Sequence, residues 1–308
     1  MRRLLATLPV VVLVALFVFL LLRLAPGDPA AVIAGEHATS IDIERIRAML
    51  GLDRPLHEQF FLWAGTLLRG DLGNSIMSNL PISQLIGQRI EPTLSIAALT
   101  MILSVLVALP MGIAAAWGTR TWVDRTTMVF AILGFSLPVF LVGYALIYVF
   151  AVKLGWFPVQ GYRPLAQGVG PWLQGLVLPT VTLSFTYVAL LARTTRASML
   201  EVLAEDYIRT AQAKGVRTRG LLFRHAFSNA AIPVVTVVGI GITLLISGVV
   251  ITETVFNIPG LGRLTVDAIL SRDYPIIQAL ILIFAGVYVV LNLLIDLLYV
   301  FLDPRIEY

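Results

Sequence analysis

Long apolar runs separated by more polar stretches constrain this chain more than anything else in it. They lie at 4–24, 93–117, 126–152, 176–192, 233–253 and 276–301. About twenty residues of α-helix cross the roughly 30 Å hydrocarbon core of a bilayer. Only 13% of the residues are charged and 58% are hydrophobic, whereas soluble domains carry about 25% charged residues. The fold class read from this pattern is an all-α integral membrane protein with six transmembrane helices and a long extracytoplasmic segment after the first of them.

The run at 4–24 follows Arg2 and Arg3. It exceeds the apolar stretch of about 7–15 residues found in a cleaved signal peptide, and no small-x-small site closes it, so it is read as an uncleaved span. The mixed segment 26–94 carries acids and bases in similar number, a helical pattern at 42–50 and an amphipathic, aromatic-bearing one at 56–68. Its RGD tripeptide at 69–71 reads as chance, and the segment as a structured connector. Arg2, Arg3, Arg120, Arg125, the basic residues of 193–224 and Arg305 fall on one side of a six-span topology. Positive charge in short loops marks the cytoplasmic side, so both termini are predicted to be cytoplasmic. Three parts follow: an N-terminal transmembrane helix at 1–25, the extracytoplasmic segment 26–94, and a core of five helices at 95–308 with a cytoplasmic loop at about 193–232.

The residue inventory excludes several chemistries. The chain has no cysteine, which removes disulfides and thiolate catalysis. His37, His57 and His225 stand far apart, without the spacing of a metal-binding helix. The two lysines, Lys153 and Lys214, sit in no Gly-rich phosphate-binding loop, so any ATP is bound by another subunit. The dispersed arginines behind a net charge of +4 are no nucleic-acid footprint. Within the spans, Arg23, Glu253 and Asp296 read as end anchors or loop-packing groups. A stand-alone channel or ion-driven carrier usually keeps mid-span acids, and these are scarce here. A membrane enzyme needs a nucleophile–base pair, and none is apparent. Gly239, Gly241, Ser247 and Gly248 in the fifth run suit close helix packing.

What remains is the polar stretch 193–233. It holds seven basic residues, Arg193, Arg196, Arg209, Lys214, Arg217, Arg219 and Arg224, against the three acids Glu201, Glu205 and Asp206. Leu200, Leu203, Tyr207 and Ala211 recur at a spacing of three or four, which predicts one apolar helix edge. Gly215 is the expected stop. A second short helical pattern runs on to Pro233. The expectation is two short amphipathic helices on the cytoplasmic face.

A series of motifs in order along the chain resembles the inner-membrane permeases of binding-protein-dependent ABC importers, most of all the dipeptide, oligopeptide and nickel class. They are APGDP at 25–29, LGLDRPL at 50–56, LRGDLGNS at 68–75, SLPVFLVG at 136–143, EDYIRTAQAKG at 205–215, RHAFSNAAIPVVT at 224–236, ETVFNIPGLGRL at 253–264, RDYPIIQA at 272–279 and LDPRIEY at 302–308. The resemblance implies a type I ABC importer permease fold and a non-catalytic subunit of the bacterial cytoplasmic membrane. It implies as partners membrane lipid, a second homologous permease, cytoplasmic ABC ATPase subunits that bind the ATP, and an extracytoplasmic solute-binding protein. It implies short peptides as solute, with glutathione or a nickel chelate as alternatives within the class.

By the same resemblance, 205–215 is a coupling helix that docks in an ATPase groove. Leu200, Leu203, Tyr207 and Ala211 would fill the groove, Glu205, Asp206, Arg209 and Lys214 would form its charged rim, and Gly215 would permit close approach. Arg209, Thr210 and Ala211 stand where the general motif has Glu-Ala-Ala; Ala211 and Gly215 match it, and Glu205 or Asp206 would replace its acid.

Overall fold

The computed structural model describes residues 2–24, 30–31, 39–49 and 51–302, with the side chains at 2–8, 21–24, 42, 46, 49 and 296–302 left aside. APGDP, His37, the tail at 303–308 and the side chains of Arg23 and Asp296 lie outside the described residues. Among the described residues the principal helices are α1 (Arg2–Leu24), α2 (Ser40–Met49), α3 (Leu56–Leu68), α4 (Ile82–Gly87), α5 (Ile90–Trp117), α6 (Trp122–Ser136), α7 (Val139–Lys153), α8 (Val169–Leu203), α9 (Asp206–Ala213), α10 (Thr218–Val255), α11 (Leu261–Leu270) and α12 (Tyr274–Leu302). Two of them contain π-helical stretches, Ile147–Lys153 in α7 and Leu221–Phe227 in α10. The described residues hold no strand beyond an isolated antiparallel bridge between Asn74 and Pro81.

Prolines start three of these helices: Pro55, Pro81 and Pro138 each stand immediately before the first helical residue, with φ between −60° and −56°. The pyrrolidine ring fixes φ near the helical value and its missing N–H costs nothing there.

Among the described residues, four helices are long and apolar enough to cross a membrane, in Ile82–Trp117, Val169–Leu203, Thr218–Val255 and Tyr274–Ile295, and a fifth span forms if the bent pair α6–α7 counts as one. The described apolar part of α1, Pro9–Leu20, is shorter than a span. The run at 126–152, expected to be a single interrupted span, turns by 106° between Ser136 and Val139. Helix α8 exceeds the expected 176–192 at both ends: its 35 residues reach about 52 Å at 1.5 Å per residue. The helical pattern at 216–232 is not separate but continues through Pro233 into α10.

Contacts divide the chain into two compact units. One comprises Met1–Arg89 and Leu264–Val290. In it Phe19 of α1 meets Phe60 and Trp63 of α3 at ring-centroid distances of 5.2 and 5.6 Å. Gln278 of α12 donates to the Val18 carbonyl at 2.8 Å. The 70–81 loop is fastened by buried Asp273, which accepts from the Ser75 hydroxyl at 2.6 Å and from the N–H groups of Ile76 and Met77 at 3.3 Å.

The other unit comprises Ile90–Arg263 and Leu291–Tyr308. Helix α8 is its axis, packed on α5, α6, α7 and α10. Glycines set the closest approaches, as small residues do where helices pack in lipid. A Cβ on Gly112 of α5 would lie 2.7 Å from the Ala192 carbonyl and 2.6 Å from Thr195 Cβ of α8. One on Gly134 of α6 would collide with Ala189. Gly112→Ala is therefore expected to destabilise the chain by about 1–3 kcal/mol through overpacking, measured by unfolding in detergent. Gly65→Ala in α3, where a Cβ meets nothing within 4 Å, is the control and is expected to be neutral or slightly stabilising.

Candidate functional site

Helix α9 and the two helix ends beside it form the candidate site. Glu205 precedes α9 in an extended conformation, with ψ 145°. Its carbonyl accepts from the N–H groups of Ile208 and Arg209. At the other end Gly215 has φ 75°, a left-handed conformation that glycine adopts without penalty. The Gly215 N–H donates to the Gln212 carbonyl at 2.9 Å and the Val216 N–H to the Ala211 carbonyl at 3.2 Å. This pair of bonds, with Ala211 and Val216 packed in one cluster, is a Schellman closure. The expected stop at Gly215 thus has its structural cause.

The helix seats itself by Ile208, fully buried, and Ala211, 9% exposed. Both join a cluster with Met199 of α8, Ile113 and Ala116 of α5, and Leu221, Leu222, Ala226 and Ala230 of α10. Leu200 and Leu203, at the end of α8, pack against the same cluster. The single apolar edge expected from Leu200, Leu203, Tyr207 and Ala211 is therefore corrected. The extended residue Glu205 breaks the helix between the two leucines and the other two residues and resets the helical phase. Of the four, Tyr207 is exposed, at 44%. Ile208 was missed; counting the phase afresh from Asp206 would have found it, because Ile208 and Ala211 are three apart.

At 100° per residue, the positions opposite Ile208 and Ala211 are Asp206, Arg209, Thr210 and Ala213, all exposed. The outward face is therefore polar and small. Asp206 and Arg209 approach to 3.4 Å with side chains 95% and 72% exposed, and so orient one another more than they stabilise the helix. Glu205, Lys214, Arg217, Arg219 and Arg224 are exposed around this face. Desolvation first, and then the charge of Glu205, raise the Tyr207 phenol above its ordinary pKa against a hydrogen bond with Asn229.

A second polar feature lies where α8 passes the α5–α6 turn. Arg196 donates to Asp124 through Nε at 2.5 Å and Nη2 at 2.9 Å, and the Arg120 N–H donates to Asp124 Oδ2 at 2.9 Å. Asp124 is 6% exposed. In the sequence Arg196 is one of several loop cations, with nothing nearby to mark its partner. Among the described residues, no group of three or more His, Cys, Asp or Glu is placed to hold a metal ion.

The arrangement of helices is similar to that of a chain in the inward-facing MetNI methionine ABC transporter, with a TM-score of 0.61 over 72% of this chain and 97% of that one. At 15% identity the likeness is one of fold. The family described as "Binding-protein-dependent transport system inner membrane component" matches residues 108–308, and its N-terminal companion, "Binding-prot-dependent transport system membrane comp, N-term", matches 1–97. The chain belongs to this family and is a non-catalytic, multi-pass membrane subunit of a bacterial binding-protein-dependent ABC importer. Membership implies ATPase and binding-protein partners; family members carry no cofactor. Over its whole length the chain is 55% identical to 98% of the probable peptide ABC transporter permease protein y4tP of Sinorhizobium fredii. It is 43% identical, over equal coverage, to a putative peptide transport system permease of Brucella abortus and to the glutathione transport system permease GsiC of Salmonella choleraesuis.

Proposed function

We propose that this permease carries short peptides, or the tripeptide-sized glutathione, across the cytoplasmic membrane, driven by an ATPase that docks on α9. The observation that carries the solute class is the 55% identity, end to end, to a probable peptide permease. The chain crosses the membrane six times with both termini cytoplasmic, a reading supported by the distribution of arginines. A second homologous permease completes the pathway. An extracytoplasmic binding protein delivers solute to the segment 26–94 and to the loops at 153–175 and 254–275. Docking is supported by the short, firmly seated α9, which presents Asp206, Arg209, Thr210 and Ala213 outward beside a basic rim.

Uptake assays with the assembled importer, comparing a short peptide, glutathione and a nickel chelate, test the solute class. Saturable, ATP-dependent uptake of the peptide or of glutathione is the expected result, and uptake of the chelate alone would overturn it. Gly215→Trp tests docking. The new Cβ would meet nothing within 4 Å, so the cost is the left-handed backbone, about 1–2 kcal/mol. The variant is expected to insert and fold but to lose the ATPase on purification or to uncouple hydrolysis from uptake. Normal uptake by that variant would sink the docking assignment.

A further inference from the structure

Helix α8 is held to its neighbours at three successive levels on the way to α9. Gly134 of α6 lies against Ala189, Gly112 of α5 against Ala192 and Thr195, and Asp124 of α6 binds Arg196. The first two are van der Waals contacts, Gly134 on the Ala189 methyl and Gly112 on Thr195 and the Ala192 carbonyl. The third is a half-buried bidentate ion pair, which fixes both distance and angle. Its acid is itself locked to a rigid turn. Arg120 has φ 66°, its N–H donates to Asp124, and the Thr121 hydroxyl donates to the Gly118 carbonyl at 2.5 Å. Past Arg196, α8 continues about two turns, roughly 10 Å, to Leu203. There α9 is attached through Met199, Leu200, Leu203, Ile208 and Ala211. The part of any load on α9 that passes into the end of α8 meets Arg196 before the glycine contacts.

We propose that Asp124 and Arg196 are positioning residues for energy coupling: a strut that makes the end of α8, with α9 on it, move as one body with the α5–α6 turn. This rests on the reading of α9 as the docking helix. A pair that only stabilised the fold would be replaceable by apolar side chains of similar volume without loss. A strut would not, because apolar contacts leave the angle of α8 unspecified.

The absence of cysteine permits spin labels at the exposed Trp122→Cys and Glu201→Cys in the assembled importer, with and without ATP and vanadate. With Asp124 and Arg196 intact, the distance between labels is expected to hold within about 2 Å between the two conditions, below the scale of a helix ratchet. With Asp124→Leu and Arg196→Met together, it is expected to broaden or shift by about 5 Å, and solute moved per ATP to fall about tenfold. A narrow, unchanged distance and normal uptake per ATP in that double variant would overturn the strut, as would a change of about 5 Å with the pair intact. Asp124→Asn, which keeps the shape and removes the charge, is the second variant, judged by the same results if the double variant does not accumulate. Cross-linking from Thr210→Cys separates the two readings. Failure to capture an ATPase subunit would overturn docking, while the distance without nucleotide still tests the strut.

Discussion

Ile208→Asp is expected to unseat α9 and abolish ATP-driven uptake. Ile208 is fully buried at the centre of the cluster joining α9 to α5, α8 and α10. Truncating a buried Ile to Ala alone costs about 2–5 kcal/mol, and a carboxylate placed there also has no partner to offset its desolvation. The loss is local, because α9 has only 8 residues and adjoins the extended Glu205 and left-handed Gly215. Limited proteolysis should cut between 204 and 217 in Ile208→Asp and spare the unsubstituted chain. Ala213→Trp on the outward face is the contrast. It leaves unfolding within about 0.5 kcal/mol, as surface substitutions usually do, yet is expected to block uptake by filling the docking surface. If Ala213→Trp transports normally while Ile208→Asp does not, the outward face is not the contact.

How far sequence reading reached is clearest at the ends of the helices. The second apolar run and α5 end at the same residue, Trp117, because Gly118 and the positive φ of Arg120 stop the helix where hydropathy also falls. At the end of α8 the two signals part. Hydropathy falls at Arg193, but the helix continues to Leu203, since Arg, Ala, Met, Leu and Glu are good helix formers wherever the membrane ends. Hydropathy marks where lipid stops, not where helical hydrogen bonding stops. The same reason hid the join of 218–232 to α10. The SLP interruption at 136–138 was visible, but its 106° turn depends on packing that no local pattern encodes. At the candidate site Gly215 was legible because its conformation is a property of one residue. Ile208 was not, because its direction depends on a phase reset at Glu205. The pairing of Arg196 with Asp124, 72 positions away, had no local signal at all.

Glu253→Ala is expected to be among the most destabilising single changes in the core unit. Sequence reading took Glu253 as an end anchor or loop-packing group, and the structure shows the loop it packs. The residue is fully buried at the end of α10. Its Oε1 accepts from the Thr93 hydroxyl at 2.5 Å and its Oε2 from the Arg263 N–H at 2.9 Å, while Thr93 Oγ1 accepts from the Leu261 N–H at 2.8 Å. The carboxylate thus serves the first turn of α11, where N–H groups lack intrahelical acceptors and the helix dipole favours negative charge. Alanine removes this acceptor from two half-buried donors, at about 1 kcal/mol each, and leaves a void where the fully buried side chain stood. The motif after it has the same origin. A Cβ on Gly260 would collide with the Glu253 carboxylate, and one on Gly262 would lie 2.6 Å from Val250 Cα. Neither glycine is among those with positive φ, so space rather than backbone conformation requires them. A double-mutant cycle in detergent unfolding follows. Gly260→Ala and Glu253→Ala are each expected to destabilise, and together by less than their sum, with a coupling of about 0.5–3 kcal/mol, because the methyl then enters the space the carboxylate vacated. Gly262→Ala meets backbone that the carboxylate does not control, so most of its cost should persist beside Glu253→Ala. Additive losses for the Gly260 pair would mean that the carboxylate is not what excludes a side chain at 260.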